Sequence, residues 1–174
     1  MALKEIKKDD FDKNRDILDK FDNFDAEIAV IGCLLWDNRS YEKIADFLTE
    51  NHFSDLNNKN IFKKIKQLLD KNILVTPITL KNYLEENSDI EFDNYTYLNQ
   101  IKDSAPSTQN AYQYARLLYD LHIKRSLIGI GNNIIQDTIT NEEELEGLNL
   151  IENAENDLYN LSQTGSADRK HAMF

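Results

Sequence analysis

The chain has 174 residues, room for one ordinary domain and an appendage but not for two full domains. Its 41% hydrophobic and 10% aromatic content can fill a core, while 29% charged residues and the lack of any long apolar run exclude a membrane-spanning helix. A net charge of -11 argues against tight autonomous binding of DNA or RNA, because such affinity rests on lysines and arginines that neutralise phosphates.

Met1 to Phe24 is a polar leader of mixed charge with no apolar stretch or small-residue cleavage site, so a cytoplasmic location is expected. Residues 1–23 read as a mobile arm. Beyond it, apolar residues recur at helical spacing almost everywhere, interrupted by only two prolines and five glycines, and this predicts an all-α protein. The expected architecture is a compact helical globule of about five helices over residues 24–104, followed by a long C-terminal helical hairpin over 105–163. Residues 164–174, with Gly165 as a helix stop signal, read as the start of a linker.

In chain order, Asp25 to Trp36 forms the first helix, with Ile28, Ile31, Leu34 and Leu35 on one stripe and Ala29, Gly32 and Cys33 permitting a close neighbour. Ser40 to Leu48 predicts a short second helix. Asp55 or Asn57 caps a third, in which Ile61, Phe62, Ile65, Leu68 and Leu69 repeat until Asp70-Lys71-Asn72 ends it. Thr76-Pro77 is a cap followed by proline at the first helical position, with Thr79 the rival cap, and the helix runs to about Asn87. A fifth helix covers about Asn94 to Lys102. The segment after Pro106 predicts an unbroken helix to about Ile139, roughly 45 to 50 Å long. Asn141 with Glu142, Glu143 and Glu144 starts the second arm, whose Leu145, Leu148, Ile151, Ala154, Leu158 and Leu161 make a coiled-coil-like seam.

Chemistry is harder to find. No glycine-rich phosphate loop is present, and Gly129-Ile130-Gly131 lies inside an apolar helix, so no nucleotide cofactor is expected in this chain. His52, His122 and His171 lie far apart and Cys33 is the only cysteine, a pattern of a buried thiol and no metal site. Pairs such as Glu85-Glu86 belong to an acidic surface, and Lys63, Lys64 and Lys66 to a solvated helix face. No catalytic residue is expected.

Several short stretches then fall into one order. Asp25-Ala26-Glu27 leads into Val30-Ile31-Gly32-Cys33-Leu34-Leu35; Phe53, Ile61-Phe62, Pro77-Ile78-Thr79-Leu80 and Tyr97-Leu98 follow, then Asn110, Tyr114-Ala115 and Lys124-Arg125-Ser126-Leu127-Ile128. This series, over about Phe24 to Leu161, resembles the N-terminal domain of bacterial replicative DNA helicases of the DnaB family. Glu91 to Asn94 departs from it, lacking the glycines often found before the Tyr-Leu pair.

The resemblance implies a collar in a ring-shaped homohexamer built as a trimer of dimers, and a docking place for primase. It also implies a longer parent protein, an ATP-dependent 5′-to-3′ helicase whose missing motor domain would use ATP and magnesium and contact single-stranded DNA. The subunit or partner interface would comprise Leu127, Ile128, Gly131, Ile134 and Ile135 with Leu145, Leu148, Ile151 and Leu158; the rival reading of the same residues is a seam internal to the hairpin alone. The alternatives are a helicase-binding C-terminal-type domain of a primase and a standalone helical adaptor.

Overall fold

The computed structural model describes residues 16–85, 94–140 and 147–164, and every regular element among them is helical. Asn23 starts the first long helix, α1 (Phe24–Trp36): its side-chain oxygen accepts the Ala26 N–H at 2.9 Å, satisfying a donor that the helix itself leaves over. Val30 to Leu35 are all buried, so α1 is enclosed on more than one side. It packs against α2 (Leu56–Leu69) and α4 (Asn94–Asp103), with α3 (Pro77–Glu85) lying between those two.

The first link departs from expectation. In place of an α-helix over Ser40 to Leu48, a 3-10 helix spans Asn38–Lys43 and an irregular turn follows. Local side-chain bonds compete with the α pattern there. The Asp37 carboxylate accepts the Arg39 N–H at 3.1 Å, and the Asn38 amide donates to the Leu34 and Val75 carbonyls while its oxygen accepts the Val75 N–H. Ile44, Phe47 and Leu48 are nonetheless buried, as the apolar spacing required.

Asp55 caps α2 by accepting the Asn58 N–H at 2.9 Å, resolving the choice between Asp55 and Asn57. Its far end closes on Asn72, which adopts φ 58, while the Ile73 N–H reaches back to the Leu68 carbonyl. Asparagine tolerates this left-handed conformation better than most residues. At α3 the two rival threonines act together: the Thr79 N–H donates to Thr76 Oγ1 and the Thr76 N–H to Thr79 Oγ1, with Pro77 at the first helical position.

Gly32 marks a close helix contact. A Cβ there would lie 2.7 Å from the Ile101 carbonyl oxygen and 3.0 Å from Ala105 Cβ, so α1 and the end of α4 meet at a distance only glycine allows. After a single 3-10 turn, Thr108–Asn110, the helix α5 (Ala111–Thr140) runs for 30 residues without a break. The last described helix is α6 (Gly147–Thr164). The proposed start of that arm at Asn141 to Leu145 lies outside the described residues. The chain divides into two compact units, Asn23–Asp120 in one, and in the other the segment up to Asp22 together with the segment from Leu121 onward.

Candidate interaction surfaces

Glu27 is the one carboxylate buried among the described apolar core, at 1% exposure. Its Oε1 accepts the Ser54 N–H at 2.6 Å, the Ser54 hydroxyl at 2.8 Å and the Asp55 N–H at 3.3 Å, and its Oε2 accepts the Asn58 side-chain amide at 3.0 Å. Asn58 in turn accepts the Tyr97 hydroxyl at 3.1 Å. A charged acceptor can be buried when its lone pairs are used. This one joins α1, the start of α2 and α4 by polar bonds running through the core. Burial, with the negative charges of Asp55 and Glu27 behind it, holds the Tyr97 phenol above its ordinary pKa. The arrangement is a structural tie.

The first turns of α5 are anchored in the same unit by an aromatic group. Phe47 meets Tyr112 and Tyr119 edge-on at 5.6 and 6.0 Å, His52 lies 5.1 Å from Tyr119, and the Arg116 guanidinium stands over the Phe47 and Tyr119 rings. Ala111, Ala115, Leu118 and Tyr119 are the buried residues of α5. Cys33 is buried beside the Pro106 and Ser107 carbonyls, which its thiol faces at 3.7 and 3.9 Å, and burial raises its pKa. Tyr41 donates to Asp70, and burial followed by that neighbouring charge pushes its pKa up to about 12.

The second unit presents a different surface. Arg125 donates to the Phe21 carbonyl and pairs with Asp22, and Lys124 stands over the Phe21 ring, so the segment before α1 is tied to α5. Beyond that tie, α5 buries nothing: Leu127, Ile134, Ile135 and Ile139 are exposed, and Ile128 and Gly131 are half-buried. Along α6, Leu148, Ile151, Leu158 and Tyr159 are exposed at 75%, 56%, 45% and 63%, and no residue of this helix is buried. Apolar side chains at spacings of three and four thus line both helices in solvent.

Of the nine interface residues expected from sequence, six are exposed, two are half-buried and Leu145 lies outside the described residues. Among the described residues, no atom lies within 4 Å of where a Cβ of Gly129 or Gly131 would stand. Sequence reasoning missed the Glu27 tie, although an acid three and four residues before the buried Val30 and Ile31 was its signal. It also missed the aromatic group around Tyr119, whose members come from distant segments. Among the described residues no group of three histidines, cysteines or acids is placed to hold a metal ion.

Comparison with known proteins gives a consistent picture. Residues 19–120 match the family model described as the DnaB-like helicase N-terminal domain. The replicative DNA helicase DnaB of Rickettsia conorii is 31% identical over 144 residues, covering 82% of this chain and 29% of that protein. The DnaB of Geobacillus stearothermophilus is 26% identical over 151 residues, covering 86% of this chain and 32% of its own length. The chain therefore spans less than a third of these curated relatives. In fold it is similar to the N-terminal domain of DnaB helicase from Mycobacterium tuberculosis, with a TM-score of 0.73 at 18% identity over 80% of this chain and 97% of that one. It is also similar to a DnaB-like replicative helicase whose structure was described with its interactions with primase, with a TM-score of 0.64 at 23% identity over 80% of this chain and 31% of that one.

Proposed function

The chain belongs to the family of DnaB-like helicase N-terminal domains, and from that premise we propose that it serves as the collar of a replicative DNA helicase, pairing subunits within a hexameric ring and docking primase. The observation that carries the pairing role is the row of exposed apolar residues on α5 and α6, Ile134, Ile135, Leu148, Ile151 and Leu158 among them. A monomer in water gains by covering such a surface, and burial of each large aliphatic side chain is worth about 1.5–3 kcal/mol. A second copy brings the same surface, as twofold pairing requires.

In this reading the globule of residues 24–104 supports the ring, the hairpin of 105–163 makes the dimer contact, and 164–174 leads toward a motor domain. Docking of primase draws support from the related helicase described with that partner. Unwinding, with ATP and magnesium, belongs to the regions of the relatives that this chain does not span, as does the principal grip on single-stranded DNA. The proposed location is the bacterial cytoplasm; among the described residues no helix is long and apolar enough to cross a membrane.

The test is the solution mass of the chain by light scattering over a concentration series. Dimers or hexamers are expected, and Ile135→Glu or Leu148→Glu should return monomers because each places a charge in the contact. A mutant that stays dimeric removes its residue from the interface, and a strictly monomeric wild-type chain removes the pairing role.

A further inference from the structure

Residues 16–19 are helical and close on a turn in which the Phe21 N–H donates to the Leu18 carbonyl at 2.9 Å and the Asp22 N–H to the Asp19 carbonyl at 3.3 Å. Leu18 and Phe21, three positions apart, are half-buried, while Asp16, Ile17, Asp19, Lys20 and Asp22 are exposed. This short strap thus turns one face inward, and its Phe21 end lies on α5. There Arg125 donates to the Phe21 carbonyl and pairs with Asp22 at 3.4 Å, and Lys124 Nζ stands 5.9 Å from the Phe21 ring centre. The Arg125 side chain is only 16% exposed, so this cation is committed to its contacts and not left in solvent.

Lys124 and Arg125 are the only lysine or arginine between Leu121 and Thr164, a stretch that holds eight carboxylates. Two copies brought together along α5 and α6 therefore bring like charges together, and these two cations are what the helices offer in return. Lys124, Ile128, Gly131 and Ile135 follow at spacings of four, three and four, so the cations stand at the foot of the apolar stripe itself. The strap, with Asp16, Asp19 and Asp22 against Lys20, is acidic as the surface of a second copy is, and it rests on the same two residues.

We propose that residues 16–22 are an autoinhibitory strap: they occupy the cationic root of α5 and keep the carboxylates of a second copy from it, so that pairing displaces the strap. The inference rests on the pairing role proposed above for α5 and α6. A strap seated about nine-tenths of the time leaves about a tenth of the chains open, and pairing that needs an open root on both copies is then weakened about a hundredfold.

The test is the dimer dissociation constant of the full chain, measured by light scattering over a concentration series with the strap loosened and the root intact. Phe21→Ala removes the ring beneath Lys124 and Asp22→Asn an ionic partner of Arg125; each should tighten pairing about tenfold, and the gain should shrink at high salt for Asp22→Asn. Glu42→Gln removes one negative charge in the other compact unit and should leave pairing within a factor of about two. In a Lys124→Ala, Arg125→Ala background the strap substitutions should no longer tighten it. Circular dichroism checks that every variant remains helical. Pairing that is unchanged or weaker in either strap variant overturns the inference and leaves the pairing role standing, and an equal gain in Glu42→Gln overturns it as well. A wild type and strap variants that all stay monomeric remove the pairing role, and the inference with it.

Discussion

Replacing Glu27 tests whether its carboxylate, and not only the apolar packing around it, holds α1 to α2. In Glu27→Ala the Asn58 amide, 0% exposed, loses its acceptor where water cannot replace it, which costs about 1–3 kcal/mol. The Ser54 and Asp55 donors are nearer the surface and can turn to solvent, so only the net worth of their charge-assisted bonds is lost, about 1.5–3 kcal/mol. The missing methylene adds about 0.8 kcal/mol. The sum, about 3–7 kcal/mol, is a large part of the roughly 5–15 kcal/mol available to a domain. Glu27→Gln keeps the volume and one oxygen for Ser54; a flip of the Asn58 amide would then restore its bond, with Tyr97 accepting. Loss of the charge alone should cost about 1–2 kcal/mol. Urea unfolding followed by far-ultraviolet dichroism measures both. The reasoning fails if the alanine variant lies within about 1 kcal/mol of the wild type, or if glutamine costs as much as alanine.

Other outcomes follow from the same packing. Gly32→Ala drives a methyl group to 2.7 Å from the Ile101 carbonyl, and the strain should outweigh the helix preference of alanine to leave a net loss of about 1–2 kcal/mol; a neutral or stabilised variant would show that α1 and α4 can move apart freely. Cys33 should resist thiol reagents at mildly alkaline pH and react at the rate of unfolding, because burial both shields it and raises its pKa; rapid labelling of the native chain would contradict this. Tyr41 has a folded-state pKa of about 12, above that of an unfolded tyrosine, so its contribution to stability is complete below the unfolded value and is lost as pH rises toward 12. Tyr41→Phe should flatten that alkaline loss in unfolding experiments, and an unaltered pH profile would assign the loss elsewhere.

The long elements were legible in the residues because periodicity and end signals agree there. The apolar repeat from Ile61 to Leu69 lies between Asp55 and Asn72, and α2 begins and ends on those signals. The helix after Pro106 was legible for the same reason, and its buried Ala111, Ala115 and Leu118 recur at spacings of four and three. The link from Asn38 to Phe47 was not, since its 3-10 form depends on Asn38 reaching Val75, 37 positions away. The Glu27 tie likewise needs donors from Ser54 and Asn58, and no local pattern announces a partner so remote. For the expected interface, the apolar rows on α5 and α6 stand in water, because a helix with no core to meet leaves them there. What covers them depends on shape matching between whole surfaces, which periodicity does not encode.

The close approach at Gly32 also governs the order in which the globule can form. The first helix of this unit completes its packing against Ile101, Ala105 and Pro106, near the end of the unit, so its most apolar stretch must wait until some seventy further residues are available. Contacts that span so much chain slow folding, and during synthesis they leave Val30 to Leu35 uncovered while α2 and α3 emerge. A nascent chain interrupted before residue 101 would carry that stretch without its cover, and would be a natural client for chaperones that hold unfinished apolar helices.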